Sequence, residues 1–428
     1  MSLFEILKKE ATWEDFLTHR SRNGFDNRRE LERIHQFVAE KGYLPIVSTL
    51  EKNFSDFAYP RKSLISKMGT QKKRVVYIYP NRENIFLKMI AFKLTKYEPY
   101  LCENCYSFRL GVGAREAFLR FAKYPGISRY WSVKVDIKDY FNSIKISLLE
   151  PELRRTITDD PDLLHFLLTL LQTRKAYYQG EVVPIESGVM PGTPRSAFFS
   201  NLFLRELDEW FFNRKVLYAR YSDDIIFFGS QNEVEEYREY LEGFLTQRGL
   251  AINQKKFAMT CPGEAWTFLG FRFDNGTIDV APNTVRKLCA KVRRKARALR
   301  RWKLRKGVAD QPTLRAMNRK LNRKFYTTSQ EGVLNWSRWY FPVINTSVSL
   351  RKIDAYVQQQ ERYLVTGRHS KVNLRKVPYQ ALKDSGYRPL VSAYYQYRSD
   401  PVAFMRPNYT NTMNEQEEEV LCSEIEQS

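Results

Sequence analysis

An acidic pair flanked by apolar segments constrains the fold of this chain more than any other sequence feature. The run RYSDDIIFF places Asp223 and Asp224 between two stretches rich in apolar and aromatic residues, at 215–221 and 225–229. Such flanks predict a β-hairpin that carries both carboxylates at its tip. The pair alone also fits an ordinary surface turn, because aspartate is a common turn residue.

A third carboxylate distinguishes between these interpretations. Asp136 follows the run WSVKV, which is typical of a short β-strand. Adjacent strands would bring this side chain and the acidic pair to one edge of a sheet, and converging carboxylates bind hard divalent cations. Nucleotidyl transfer uses two such ions, one at the attacking 3′-hydroxyl and one at the triphosphate. The three acids therefore predict a site for two Mg²⁺ ions, for which Mn²⁺ can substitute.

The charge balance of the chain predicts a polyanionic partner. Seventy Lys and Arg residues against 48 Asp and Glu residues give a formal charge of +22. Nucleic acid is the first candidate, and a membrane surface is the alternative. No apolar run is long enough to span a bilayer and the N-terminus lacks the apolar core of a signal peptide, so we expect a cytoplasmic protein without a membrane partner.

The C-terminal third contains the strongest concentration of positive charge. Residues 285–306 read as one helix with an apolar stripe, and between 286 and 306 there are twelve Lys or Arg residues and no acid. Such a helix is expected to follow a phosphate backbone. Together with the run NRKLNRKF, it provides the predicted nucleic-acid-binding residues Arg286, Lys287, Lys291, Arg293, Arg294, Arg297, Arg300, Arg301, Arg319, Lys320, Arg323 and Lys324. Nearby aromatic residues would either stack on unpaired bases or form core.

The ordered series of motifs over residues 60–275 resembles the reverse transcriptase family. The resemblance implies an α+β right-hand polymerase with fingers, a palm containing an antiparallel sheet, and a helical thumb. Asp136, Asp223 and Asp224 match the catalytic palm acids, and the carbonyl of Ile137 would be a further metal ligand. The expected divisions are an N-terminal helical extension (1–60), fingers and palm (61–280), a basic thumb and RNA-binding region (281–410) and an acidic mobile tail (411–428).

The resemblance also implies roles for residues around the acids. The nucleotide-binding set comprises Lys67, Arg74, Arg82, Phe141, Gly192 and Lys256. Phe141 would be the steric gate whose ring excludes a ribose 2′-hydroxyl, and Lys256 would neutralise the departing pyrophosphate. The run FLGF resembles the primer grip, with Phe268, Leu269 and Gly270 as its residues. Pro191 departs from the family pattern, since many relatives carry Gln there. Taken singly, each of these residues also fits a surface or core position.

The same residues argue against two alternative functions. An RNA-dependent RNA polymerase would carry an acid or small polar residue at the gate, so Phe141 favours incorporation of dNTPs. A catalytically inactive palm, used as an RNA-binding or splicing scaffold, is expected to lose acids that this chain retains.

Within the family, we compare the chain with three types of enzyme: retron enzymes, group II intron enzymes and the bacterial "unknown group". The segment Val365-Thr366-Gly367 is similar to a retron motif, although it stands too far downstream. No segment resembles a ribonuclease H or nuclease domain. The chain most resembles the bacterial "unknown group" reverse transcriptases associated with phage defence, which stand alone and copy a companion RNA. That resemblance implies a structured non-coding RNA as template or scaffold, dNTPs as substrates and cDNA as product.

Overall fold

The structure is a computed structural model, and it describes residues 2–23, 28–66, 73–185, 188–326 and 335–406. The chain divides into two units. The first comprises Met1–Ser21 and Asp26–Leu269, and the second comprises Arg22–Phe25 and Gly270–Ser428. Two predicted features, Lys67 and the acidic tail at 411–428, lie outside the described residues.

The first unit combines many short helices with two four-stranded sheets and one further short strand, β9 Trp266–Phe268. Its helices are α1 Leu3–Leu7, α2 Glu10–Asn23, α3 Arg28–Ala39, α4 Tyr43–Lys52, α5 Asn81–Leu94, α6 Ala114–Ala122, α7 Tyr140–Ser143, α8 Ile146–Thr156, α9 Pro161–Gln172, α10 Ser196–Phe203, α11 Arg205–Asn213 and α12 Gln231–Gln247. Its strands are β1 Arg61–Ser66, β2 Lys73–Ile78, β3 Trp131–Asp136, β4 Lys175–Tyr178, β5 Glu181–Pro184, β6 Leu217–Tyr221, β7 Asp224–Gly229, β8 Ala258–Thr260 and β9 Trp266–Phe268.

The N-terminal helices α1–α4 share the main hydrophobic core of the first unit. Trp13 is fully buried, stacks on Tyr43 with 4.6 Å between ring centroids, and lies 6.3 Å from the ring of Phe86 in α5. Its indole N–H donates to the carbonyl of Leu7 at 2.9 Å. Because these large rings pack against α5, the helices predicted as an extension are an integral part of the unit.

The sheet that precedes the acidic motif has strand order β2-β1-β4-β5. Strands β1 and β2 form an antiparallel pair in which Ile65 lies opposite Arg74, and β4 joins β1 in parallel. One face buries Tyr77, Ala176, Ile185 and Met190 in a small apolar cluster. Arg74 is thereby held at a defined position on a paired strand.

The sheet that carries the acids has strand order β6-β7-β3-β8, and its neighbouring strands are antiparallel. Ile225, Ile226 and Phe227 in β7 are fully buried, because helices α6, α11 and α12 pack against the sheet. Helix α12 begins with a capping box between Ser230 and Glu233, which fixes where β7 ends and the helix starts. This sheet is the rigid support of the acidic turn.

The second unit begins with a short hairpin and is otherwise helical in its described part. Asn275 and Gly276 both have positive φ, as the turn of a tight hairpin requires. The longest helix, α13, packs against α14 and α16. The elements are β10 Phe271–Asp274, β11 Thr277–Val280, α13 Pro282–Lys306, α14 Asp310–Phe325, α15 Trp336–Tyr340, α16 Val348–Thr366, α17 Asn373–Lys376, α18 Tyr379–Asp384, α19 Leu390–Ser399 and α20 Pro401–Met405.

These elements confirm the predicted α+β fold class with an antiparallel palm sheet. The hairpin predicted around the acidic pair is present, with arms at β6 and β7. The predicted basic helix starts at Pro282 rather than 285, since proline is favoured at the first helical position. None of the helices in the described ranges is long and apolar enough to cross a membrane.

Candidate active site

The acidic turn is a two-residue connection between β6 and β7. Tyr221 lies opposite Asp224 in the antiparallel register, which leaves Ser222 and Asp223 at the tip. Ser222 has φ +60°, an uncommon conformation for a residue other than glycine, asparagine or aspartate. Its hydroxyl is buried and has no hydrogen-bond partner among the described residues. The turn is therefore held in shape by its strands rather than by the preference of its own residues.

The third acid meets this turn through strand pairing. Asp136, the last residue of β3, lies directly opposite Asp224 in the β3–β7 register. The next peptide N–H, that of Ile137, donates to the carbonyl of Asp223 at 2.9 Å. Because β3 lies between β7 and β8, the position of Asp136 is fixed on both sides. Three carboxylates thus come together at one edge of the sheet.

Burial and mutual repulsion perturb these carboxyl groups. Burial, followed by the charges of Asp223 and Asp136, raises the pKa of Asp224 to about 6. Burial also raises the pKa of Asp223, while Lys256 and Arg74 act on it in the opposite direction. Desolvated carboxylates that repel one another are stabilised by a bound cation. This donor set therefore fits divalent metal ions of the Mg²⁺ type.

The Asp136 carboxylate already has two side-chain partners. Asn253 donates from Nδ2 to Oδ1 at 2.8 Å, and Lys256 forms an ion pair with Oδ2. The backbone of the same segment is attached to this strand end, because the Asn253 N–H donates to the Asp136 carbonyl at 2.8 Å. With both oxygens of Asp136 occupied in this way, the three carboxylates do not form a complete metal-binding group as they stand, and no other three His, Cys, Asp or Glu side chains of the described ranges form one. A cation at Asp136 would compete with Lys256.

Asn253 was not recognised as a site residue from the sequence, although it lies three residues before Lys256 in the same motif. An asparagine in a loop carries no signal of its own, since asparagine is frequent in turns. Its contact with Asp136 depends on the return of the chain to β3 after α12.

The predicted nucleotide-binding cations lie in different surroundings. Arg74 is close enough to Asp223 for its charge to offset part of the rise that burial causes in that carboxyl's pKa. Arg82, in the first turn of α5, donates to the carbonyl of Gly42 at 3.2 Å and so contacts the N-terminal helices. Lys67 lies outside the described residues. Of this group, the structure associates Arg74 and Lys256 with the acids.

The loop 188–192 contacts Phe141 at one end and has Gly192 at the other. Phe141 is partly buried in α7, and its carbonyl accepts from the N–H of Val189 at 2.9 Å. Gly192 has φ +96°, and a Cβ atom there would lie 3.2 Å from the Tyr77 carbonyl oxygen and 3.3 Å from Val76 Cβ. The carbonyl of Pro191 accepts from the Tyr77 N–H at 2.9 Å. Pro191 thus contributes a backbone contact where many relatives have a Gln side chain.

The predicted primer-grip residues form a tight backbone turn. Phe268 is buried at the end of β9. Leu269 and Gly270 follow with φ +48° and +91°, two successive left-handed residues. The Gly270 carbonyl accepts from the Ala281 N–H at 2.9 Å within the second unit.

Most of the predicted nucleic-acid-binding residues on α13 and α14 are exposed. The exposed positions are Arg286, Lys287, Arg293, Arg294, Arg297, Arg301, Arg319 and Arg323. Lys291, Arg300, Lys320 and Lys324 are partly buried. Burial, together with the neighbouring charge of Lys291, lowers the pKa of Lys324. The buried stripe of α13 comprises Leu288, Val292, Ala296, Leu299 and Trp302, whereas Val285 is only partly buried.

Arg300 has protein partners that its position in a basic run did not indicate. Its Nη1 donates to the carbonyls of Leu364 and Val365, both at 3.2 Å. These carbonyls belong to the last turn of α16, where Gly367 ends the helix with φ +78°. A cation at a helix C-terminus interacts favourably with the helix dipole. The retron-like segment at 365–367 is accordingly the capped end of a helix.

A network of buried polar side chains is hydrogen-bonded to the acidic turn. Arg220 is completely buried and donates to Asp208, the Ser222 carbonyl and Cys105 Sγ. Asn201, on α10, accepts from Arg220 through its backbone carbonyl at 3.2 Å. Sequence reasoning missed these residues, because arginine and aspartate are usually exposed. The buried Cys105 thiol is thus one of the groups that hold the Arg220 guanidinium.

Comparison with known families identifies part of the chain. Residues 65–273 match the family described as reverse transcriptase (RNA-dependent DNA polymerase). The chain contains a reverse transcriptase domain. It spans the acidic turn, Asp136 and the Asn253–Lys256 segment. A curated relative, Protein YkfC of Escherichia coli (strain K12), is 26% identical over 180 residues, which make up 33% of this chain and 46% of the relative. The chain thus spans less than half the length of that relative.

Solved structures of telomerases also resemble this chain. Telomerase from Candida albicans, in complex with a fragment of telomeric RNA, has a TM-score of 0.43 at 11% identity, covering 85% of this chain and 71% of that one. Apo telomerase from Candida tropicalis has a TM-score of 0.44 at 10% identity, covering 80% and 60%. A form of the latter truncated from its C-terminal domain gives 0.41 at 13%, covering 53% and 55%.

Proposed function

We propose that this chain is an RNA-directed DNA polymerase that makes cDNA by two-metal nucleotidyl transfer. The observation that carries the proposal is the register pairing of Asp136 with Asp224, beside Asp223 at the tip of the hairpin. Three carboxylates at one sheet edge, within a reverse transcriptase domain, are the donor set that this chemistry needs.

The metal-binding role falls to Asp136, Asp223, Asp224 and the carbonyl of Ile137, which would hold two Mg²⁺ or Mn²⁺ ions. Ions held there would supply activation of the primer 3′-hydroxyl and neutralisation of the triphosphate charge. Lys256 forms an ion pair with Asp136 and would leave that carboxylate to neutralise the departing pyrophosphate. Asn253 orients the Asp136 carboxylate through its 2.8 Å hydrogen bond.

The remaining predicted residues would hold the nucleotide and the primer. Arg74, which lies near Asp223, and Lys67 bind the triphosphate. Phe141 excludes a ribose 2′-hydroxyl, so dNTPs are the substrates. Gly192 allows the backbone to pack beneath the nascent base pair. Phe268 to Gly270 grip the primer. Arg82 has the weakest support in this set, because its guanidinium contacts Gly42.

The proposed biological role is cDNA synthesis on a structured companion non-coding RNA in bacterial antiphage defence, in the cytoplasm. The formal charge of +22 and the exposed basic residues of α13 and α14 support binding of a long polyanion. The predicted thumb and RNA-binding region at 281–410 would hold the RNA, and the domain at 61–280 would copy it.

Sequencing of copurifying nucleic acids tests this proposal. The protein and its Asp223→Ala/Asp224→Ala variant are expressed in the same bacterial host, and the bound RNA and DNA are sequenced. We expect one structured RNA with both proteins and its complementary DNA only with the intact acids. Identical DNA with both proteins would refute the polymerase assignment, and absence of an enriched RNA would refute the companion-RNA assignment.

A further inference from the structure

The loop 188–192 is hydrogen-bonded both to the segment that carries Phe141 and to strand β2. At one end the Val189 N–H donates to the Phe141 carbonyl at 2.9 Å. At the other end the Pro191 carbonyl accepts from the Tyr77 N–H, also at 2.9 Å. Three of the five loop residues have positive φ: Gly188, Met190 and Gly192. The loop is therefore fastened at both ends, and Met190 is its one non-glycine residue in the left-handed region.

Gly188 leaves no room for a side chain at the Phe141 end of this loop. A Cβ atom at residue 188 would lie 2.4 Å from the Phe141 carbonyl oxygen and 2.5 Å from the Cα atom of Asn142. Real Cβ atoms essentially never approach heavy atoms closer than 3.0 Å, and backbone atoms cannot rotate aside. Any side chain at this position would force the backbone of residue 188 apart from that of Phe141 and Asn142.

The opposite side of α7 is anchored independently. Tyr140 is buried, and its hydroxyl donates to the carbonyl of Ser200 on α10 at 2.5 Å. The ring of Phe141 is partly buried against the core. Its backbone is thus held between this anchor and the close contact with Gly188, so an added Cβ at residue 188 presses directly on the backbone of the Phe141 segment.

We propose that Gly188 is a specificity-determining positioning residue, which sets where the Phe141 ring meets the sugar of the incoming nucleotide. The inference rests on the proposed function, in which Phe141 is the steric gate. A displaced ring would no longer lie against the 2′ position, so ribonucleotides would be admitted. Gly188 itself touches neither substrate nor metal, and its effect is transmitted through the backbone of Phe141.

The test compares sugar selectivity in Gly188→Ala and in a matched glycine variant. The ratio of kcat/KM for a dNTP to that for the corresponding rNTP is measured on one RNA template with Mg²⁺. We expect Gly188→Ala to lower the ratio by at least about fivefold, since sub-ångström displacements at an active site have large effects. Gly180→Ala is the control: Gly180 has φ +93° but no neighbour within 4 Å of an added Cβ, so the ratio should stay unchanged.

Epistasis with the gate separates positioning from general damage. Phe141→Ala should lower the ratio by itself, and adding Gly188→Ala to it should lower the ratio no further. If Gly188→Ala reduces dNTP and rNTP incorporation equally, or if Gly180→Ala changes the ratio as much, the inference is wrong. If Phe141→Ala retains the wild-type ratio, the assignment of Phe141 as the gate is wrong, and the inference about Gly188 is wrong with it. If Phe141→Ala lowers the ratio and Gly188→Ala does not, the gate assignment stands and only the inference about Gly188 is wrong.

A second variant covers the case in which Gly188→Ala does not fold. Replacement of Val189 by its α-hydroxy acid analogue removes the N–H that binds the Phe141 carbonyl and leaves the side chain in place. A lowered ratio with a wild-type circular dichroism spectrum supports the inference, and an unchanged ratio overturns it.

Discussion

Arg220 and Asp208 form a completely buried ion pair directly beneath the acidic turn, with 2.8 Å between Arg220 Nε and Asp208 Oδ1. Asp208 also accepts from the Tyr218 hydroxyl at 2.9 Å, and its carbonyl accepts from Asn104 Nδ2 at the same distance. Arg220 stands two residues before the tip of the turn and donates to the Ser222 carbonyl at 3.3 Å. The pair thus connects α11 to β6, the strand that leads into the acidic turn.

Breaking this pair on one side should destabilise the protein strongly. Asp208→Leu leaves the Arg220 guanidinium buried without its carboxylate, which costs about 3–5 kcal/mol. The double variant Asp208→Leu/Arg220→Met removes both charges and should lose less stability than Asp208→Leu alone. Urea unfolding measures both values. The exposed pair Lys8–Glu51 is the control, and Lys8→Met should cost less than about 1 kcal/mol. Equal losses in all three variants would contradict the account.

Glu361 predicts a pH dependence of stability in the second unit. The residue is fully buried in α16, and neither carboxylate oxygen has a hydrogen-bond partner in the described residues. Burial raises its pKa to about 8 from an ordinary value of 4.5. The folded chain therefore keeps a proton that the unfolded chain has released between these pH values. Stability should fall as pH rises through this window, by up to about 1.4 kcal/mol per pH unit from this group.

Glu361→Gln isolates the contribution of this carboxyl group. The variant is neutral at every pH, so its stability advantage over the wild type should grow from pH 5 to pH 8 in urea unfolding. Asp384→Asn is the matched control, because Asp384 is exposed in the same unit. An advantage that does not depend on pH would show that Glu361 does not titrate as described.

Lys256 should oppose metal binding at Asp136. The lysine forms an ion pair with one oxygen of that carboxylate, and a divalent cation needs the same carboxylate. Lys256→Met should therefore bind Mn²⁺ several-fold more tightly in the absence of nucleotide, as measured by electron paramagnetic resonance, while catalytic turnover falls. Lys255→Met, at the exposed neighbouring position, should leave Mn²⁺ affinity unchanged. Weaker Mn²⁺ binding in Lys256→Met would contradict the proposed competition.

The basic helix α13 should divide into RNA-binding and structural arginines. Arg293, Arg294 and Arg297 are exposed, so their replacement by Gln should weaken RNA binding and reduce the slope of log K against log salt by about 0.7–0.9 per lost phosphate contact. Arg300→Gln should mainly lower the unfolding free energy, because Arg300 caps α16. Salt titrations of RNA affinity measure the first effect and urea unfolding the second. An unchanged salt slope in the triple variant would show that this face does not bind RNA.

The acidic turn was predictable because its signal is local. Apolar strand arms around Asp223 and Asp224 specify a hairpin, and the β6–β7 pair confirms it. The long helix α13 was predictable for the same reason, since its apolar stripe repeats at helical spacing. Prediction of the start of α13 was three residues late, because a proline at the first helical position is easily taken for a loop residue.

Contacts between distant segments could not be predicted in this way. The bond from Asn253 to Asp136 joins residues 117 positions apart, and the Arg220–Cys105 contact joins residues 115 apart. Arg300 looked like its exposed neighbours, although its partners lie 64 and 65 residues downstream. Only the tertiary fold distinguishes a structural cation from a solvent-exposed one.

Primer extension on an RNA template shows whether the chain polymerises DNA with its acidic turn. The purified protein is supplied with a primed RNA template, dNTPs and Mg²⁺, and the Asp223→Ala/Asp224→Ala variant is assayed beside it. We predict templated DNA synthesis by the wild type and none by the variant, at equal folding by circular dichroism. Absence of extension by the wild type with Mg²⁺ or Mn²⁺, or equal extension by the variant, would contradict the account.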